Sequence, residues 1–217
     1  SLPDELIAIQ SYTGTLLALE LLAAGVTGEI DAVADVAHDA IDPLRGFVRQ
    51  GVEELASWDG FVATPSPIHF IARGPSIGSA FEGALLFNET AKVPAVGVLA
   101  ATFRHGPVEI VDGQFTALVL APPSATQALN LALARDLVRF GGRVRVVGPR
   151  HPDFPDLDWC ETPEAPVRLV PWFEVIPLQL AALRLAQLRG LTVGQFRYAP
   201  QVAHDEASFD PPGGGGG

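Results

Sequence analysis

Along residues 13–25 the leucines at 16, 17, 19, 21 and 22 leave almost no polar stripe. That pattern predicts a helix apolar nearly all round, capped by Ser11 or Thr13 and buried on several sides. Residues 29–58 read differently. Ile30, Val33, Val36, Ala37, Ala40 and Ile41 recur at roughly helical spacing with acids on the opposite face, which predicts an amphipathic helix. Asp42-Pro43 should break it, and residues 44–55 resume it.

From residue 66 the rhythm becomes strand and helix in alternation. Short apolar runs at 68–72, 95–99, 116–121 and 143–147 predict strands, with a short extension at 108–111 and a last strand at 167–170. Between them lie predicted helices at 77–91, at 124–140 with Ser124 as cap and Gly141-Gly142 as stop, and from Pro177, placed in a first helical turn, to Arg189-Gly190. Apolar strands separated by helices imply right-handed crossovers and a parallel sheet covered on both faces. Ligands of such α/β folds bind at the strands' carboxyl ends.

Composition narrows this picture. Hydrophobic residues make up 48% and charged ones 18% of 217 residues, enough for a packed core. The net charge of −11 argues against a nucleic-acid or anionic-membrane surface, since both need clustered Lys and Arg. It leaves room for a small anionic substrate held at a helix N-terminus. The single cysteine, Cys160, permits no intramolecular disulfide and suits a reducing cytoplasm; its acidic neighbours Asp158 and Glu161 favour a structural thiol. No signal peptide is expected from the start of the chain, and the apolar run 16–26 is short for a bilayer span. Residues 207–217 end in Pro211-Pro212 and five glycines, a composition of flexible tails.

Three stretches carry candidate chemistry. In Arg73-Gly74-Pro75-Ser76-Ile77-Gly78-Ser79 a strand ends in a Gly turn that opens a helix, so free N–H groups and the Ser76 hydroxyl can meet a phosphate; an ordinary capped turn has the same residues. Glu82 and Glu89 are seven apart and share one helix face, where apolar neighbours would raise a carboxyl's pKa and suit it to act as a base; a solvated acidic face fits equally. His105, before Gly106-Pro107, is a proton shuttle held by a tight turn or a loop histidine satisfied by backbone. His38, His69, His151 and His204 have weaker contexts. No histidine pair has metal-ligand spacing, so no metal and no cofactor is expected.

Taken together, Arg73-Gly74-Pro75-Ser76, Glu82-Gly83-Ala84-Leu85, Glu89 and Phe103-Arg104-His105-Gly106-Pro107-Val108-Glu109 resemble the second sugar-isomerase (SIS) domain of the isomerase half of glucosamine-6-phosphate synthase and its relatives. Ile176-Pro177-Leu178-Gln179-Leu180 and Gln195-Phe196-Arg197 are similar to the family's closing helix and C-terminal tail, and Ser11-Tyr12-Thr13 to part of its first SIS domain. The resemblance spans residues 1–206. It implies a flavodoxin-like three-layer αβα sandwich around a five-stranded parallel sheet, preceded by the helical second half of another SIS domain. The implied layout is residues 1–50 as that half-domain, 51–195 as the second SIS domain, 196–206 as an active-site tail and 207–217 as a flexible end. The implied activity is aldose–ketose phosphosugar isomerisation or amino-sugar-phosphate isomerisation or deamination. Glu89 takes the position of the base and His105 that of the ring-opening histidine, near the partner subunit's site in a homodimer. Arg73, Gly74, Ser76, Ser79, Ser11, Thr13 and Gln201 are the implied sugar-phosphate contacts. The departures are Leu86 and Gln201 where the family carries lysines, and Ala8 and Gln10 for a Ser and a Lys. The family's Ser/Thr-rich phosphate loops belong to the first half of the first domain, which is outside these residues. A non-catalytic sugar-phosphate-binding module is the alternative implied by the lost lysines, and a structural fragment that only packs a dimer is a third.

Overall fold

The computed structural model describes Ile7, residues 9–64 and residues 67–198. Three helices come first: α1 (Gln10–Thr27), α2 (Ile30–Asp39) and α3 (Ile41–Glu53), followed by the single turn α4 (Asp59–Val62). Strand and helix then alternate as β1 (Ile68–Ala72), α5 (Ser76–Leu86), β2 (Ala95–Leu99), α6 (Ala100–Arg104), β3 (Thr116–Leu120), α7 (Gln127–Arg139), β4 (Arg143–Gly148), β5 (Asp158–Glu161) and α8 (Val170–Leu188).

The five strands form one parallel sheet in the order β2-β1-β3-β4-β5. Alternate side chains of β1 serve opposite faces. Ile68, Phe70 and Ala72 join a core with α5 and α8, whereas Ile71 joins a second core with α6 and α7. The result is a three-layer αβα sandwich, as expected from the alternating pattern. β3 is buried along its whole length, and β2, an edge strand, leaves Val96 and Leu99 exposed. Chain order reverses between β1 and β3, so the crevice at their carboxyl ends is where this topology receives ligands.

Several expectations need correction. Residues 167–170 are not a strand: Val167–Leu169 is a 3-10 turn that leads into α8, with a proline in the opening turn of that helix. The fifth strand is β5, whose acidic ends and half-buried middle hide its alternation. Residues 107–110 also coil as a 3-10 turn rather than extend. Pro177 lies inside α8, not at its start, and sits buried in the core, where side-chain packing offsets the backbone bond it cannot make. Ser124 does not cap α7; its Oγ accepts the Thr126 N–H at 3.3 Å in the turn before the helix. The break between α2 and α3 falls at Ala40, and Pro43 sits harmlessly in the first turn of α3.

The helix α1 is likewise not buried on several sides. Ala24 is its one buried residue, Leu19, Leu22 and Val26 are exposed, and no side chain caps its start. By contrast, the segment Val167–Leu188 is apolar and long enough to cross a bilayer by composition, yet 78% of its most apolar window is buried inside the fold as a core helix.

Candidate functional site

Glu89 stands where α5 changes its winding. After Leu86 the helix continues as one π turn, Phe87–Ala91, so Glu89 rotates off the face that carries Glu82. Asn88 fixes this turn to the edge strand: its Nδ2 donates to the Ala95 carbonyl at 3.3 Å and its Oδ1 accepts the Ala95 N–H at 3.0 Å. The turn ends on Lys92 in a left-handed conformation, φ 55°, which is unusual for a side chain of that kind. Lys92 Nζ donates to the Glu89 carbonyl and lies 4.9 Å from the Phe196 ring centroid. Glu89, Lys92 and Asn88 together with Phe196, Arg197 and Tyr198 line an open hollow of about 600 Å³. Burial pushes the Glu89 carboxyl above its ordinary value, and Lys92 partly offsets this. Burial, then Arg197, lowers the Lys92 ammonium, against the pull of Glu89. The hollow thus pairs a base of raised pKa with two cations and aromatic surface.

The turn after β1 is built differently from an open phosphate loop. Gly74 adopts φ 58° and lets the chain reverse into α5. The N–H groups of Ile77 and Gly78 fold back onto the Gly74 and Pro75 carbonyls. Ser76 is buried, and its hydroxyl donates to Glu174 Oε1 of α8 at 2.7 Å. Glu174 is 1% exposed, and its Oε2 has no hydrogen-bond partner. Burial raises its carboxyl to about 7, against the opposing effect of the Ser76 and Ser79 hydroxyls. Ser79 is fully buried; its Oγ makes no well-formed hydrogen bond but lies close enough to Tyr12 and Glu174 to favour their charged forms. The Tyr12 hydroxyl, reaching in from α1, is raised by burial first and then by Glu82 and Glu174. Arg73, one residue past β1, has a buried Nε without a hydrogen-bond partner.

The remaining sequence candidates are dispersed. His105 is exposed at the end of α6, on the layer facing away from α5, and is not among the residues lining the Glu89 hollow. Ser11 is exposed on α1, and Thr13 bonds back to the Gln10 carbonyl at 3.2 Å beside an apolar groove under α1. Gln201 and Ala8 lie outside the described residues. Cys160 is half-buried, and burial pushes its thiol up to about 12, with Arg145 opposing the rise and Asp158 and Glu54 adding to it. Glu174 and Lys92 are not apparent in the sequence, and Tyr12 stands there only within the motif Ser11-Tyr12-Thr13. A lone carboxylate in the apolar run of α8 was the available signal for Glu174.

No protein-family model matches the chain. In sequence it is 25% identical over 199 residues to the glutamine–fructose-6-phosphate aminotransferase (isomerizing) of Brucella abortus, which covers 88% of this chain and 33% of that protein. The chain thus spans about a third of the length of the curated relatives it matches. Its structure is similar to tagatose-6-phosphate ketose/aldose isomerase from Escherichia coli, with TM-score 0.71 and 23% identity over 86% of this chain and 51% of that one. It is also similar to the C-terminal domain of glucosamine-fructose-6-phosphate aminotransferase from Francisella tularensis, with TM-score 0.66 and 21% identity over 80% and 51%. The chain therefore has the fold of the sugar-isomerase (SIS) domains and resembles the isomerizing aminotransferases in sequence.

Proposed function

We propose that this chain is the sugar-phosphate-handling part of an aldose–ketose phosphosugar isomerase or an amino-sugar-phosphate isomerase or deaminase, with Glu89 as its base. The observation that carries this is the half-buried carboxyl of Glu89, raised by burial and set beside Lys92 and Arg197 in one hollow. Moving a proton between neighbouring carbons of an open-chain sugar needs a carboxylate whose pKa lies closer to neutrality, and cations nearby oppose the negative charge that develops on the enediol oxygen. Residues 1–50 are then the second half of a first SIS domain, 51–195 the second domain and 196–206 the tail over the site.

His105 is the ring-opening group for the site of a second copy. Its exposure, and its place on the layer opposite α5, support that role. A homodimer is supported by apolar surface left open at the sheet edge, where Phe81, Leu85, Val96 and Leu99 are all exposed. The cytoplasm is the proposed compartment, which the lone free thiol of Cys160 suits. Arg73, Ser11, Thr13 and Gln201 remain proposed sugar-phosphate contacts; Arg73, Ser11 and Thr13 do not line the Glu89 hollow.

The test is incubation of the native protein with fructose 6-phosphate or glucosamine 6-phosphate, followed by NMR. Interconversion should be lost by a factor on the order of 10²–10⁴ in Glu89→Gln. Equal turnover by both proteins would remove Glu89 as the base.

A second reading, a sugar-phosphate-binding module without catalysis, is favoured by Leu86. This position, a lysine in the resembled family, is here a fully apolar side chain packed in the core. Under that reading the same sugar phosphates raise the melting temperature as their concentration exceeds Kd, with no turnover.

A further inference from the structure

The switch-point crevice between β1 and β3 is the place where a parallel α/β sheet ordinarily takes its ligand. Here it is already filled from within. The carboxyl of Glu174 reaches across from α8 to the first turn of α5 and accepts the Ser76 hydroxyl at 2.7 Å, in a position 1% exposed to solvent. That end of an eleven-residue helix carries the positive pole of its dipole, which draws a negative group. Two buried polar atoms there still lack a well-formed hydrogen bond, Glu174 Oε2 and Ser79 Oγ. A small space of about 10 Å³ on the side of Glu174 walled by Pro122, Pro123, Pro149 and Pro163 has room for one water at most. Gly148, the residue before Pro149, has φ 155°, and a Cβ there would sit 2.7 Å from the Ala121 carbonyl oxygen, so the ends of β3 and β4 are pressed together.

We infer that Glu174 is an internal ligand: its carboxyl holds the anion position at the start of α5 and excludes a free phosphate or phosphosugar from this domain's own crevice. Ser76 and Ser79 are the hydroxyls an external phosphate group would use, and Glu174 sets the specificity of the domain by occupying them. The Glu89 hollow, at the opposite end of α5, is left open to a ligand. The inference stands whether or not Glu89 is a base, because it concerns a different end of that helix.

The experiment measures thermal unfolding of the native protein in inorganic phosphate against chloride at matched ionic strength. Wild type and the isosteric Glu174→Gln should respond alike, through whatever phosphate binds elsewhere. Glu174→Ala should gain an additional rise of about 5–10 °C in Tm at phosphate about a hundredfold above Kd. Adding Ser76→Ala to Glu174→Ala should abolish that gain. Glu174→Ser serves the same purpose where the alanine variant has no cooperative transition, and 31P line broadening of phosphate gives a second readout on either. Two results overturn the inference: no phosphate response in the shortened variants beyond that of wild type, or a wild-type response that Ser76→Ala removes. The second result would show the crevice open in the native protein.

Discussion

Glu174 couples folding to pH. Its folded carboxyl titrates at about 7 against an ordinary 4.5, so between these values the folded state binds more protons than the unfolded chain. Stability from this group is complete below the ordinary value and declines as pH rises through about 7, by at most about 1.4 kcal/mol per pH unit. The Ser76 and Ser79 hydroxyls, which favour its charged form, do not reverse that sign, because burial is the largest effect. Urea denaturation across that range should show wild type losing stability relative to Glu174→Gln; parallel profiles would contradict it. Gly83 gives a simpler residue-scale expectation. A Cβ there would lie 2.7 Å from Phe70 Cδ1 and 2.9 Å from Leu178 Cδ1, both in the core between β1 and α8. Gly83→Ala should therefore destabilise by about 1–3 kcal/mol in chemical denaturation, despite alanine's better helix propensity. The sequence marks Ser76 and Glu89 as candidates, since each sits in a motif a few residues long. It hid the Ser76–Glu174 pair, whose members are 98 residues apart and meet only after the sheet has formed.

Whole elements were easier to read than their ends. The runs that became β1, β2, β3 and β4 are apolar and bounded by glycine, proline or charge, so period and punctuation agreed. β5 was missed because four residues with acids at both ends give no alternation to count. The extra residue in the last turn of α5 was equally invisible. A π turn has the composition of an ordinary helix, and what selects it here is tertiary: Asn88 bracketing Ala95 of β2. Asn88→Ala removes both of those hydrogen bonds and should cost about 1–2 kcal/mol in stability. It should also lower Glu89-dependent turnover more than it weakens substrate binding, measured as a fall in kcat with little change in KM, because it frees the turn that aims the carboxyl.

At the scale of the molecule, alternation alone fixed the fold class, a doubly covered parallel sheet, because every crossover helix has to return on one face or the other. The association of chains was less legible. α1 reads as a buried helix, yet Leu19, Leu22 and Val26 are open to solvent, as are Phe81, Leu85, Val96 and Leu99 at the sheet edge. Apolar periodicity reports that a surface wants burial and is silent about whether the cover comes from the same chain. Sedimentation velocity should find a dimer that dissociates on dilution. Phe81→Glu should yield a folded monomer with unchanged circular dichroism, since this side chain is 57% exposed and contributes little to the core. Under the proposed role of His105 in the site of a second copy, such a monomer should lose ring opening while retaining exchange on open-chain substrates.

The most direct test of Glu89 as a base is solvent deuterium exchange into fructose 6-phosphate, followed by NMR in heavy water with the native protein. Exchange reports proton abstraction at carbon 1 even where isomerisation or ammonia transfer does not follow. The expected result is exchange by wild type that falls by a factor on the order of 10²–10⁴ in Glu89→Gln, with sugar-phosphate binding retained. Exchange at the wild-type rate in Glu89→Gln, or none in wild type under conditions where the sugar phosphate demonstrably binds, would contradict it.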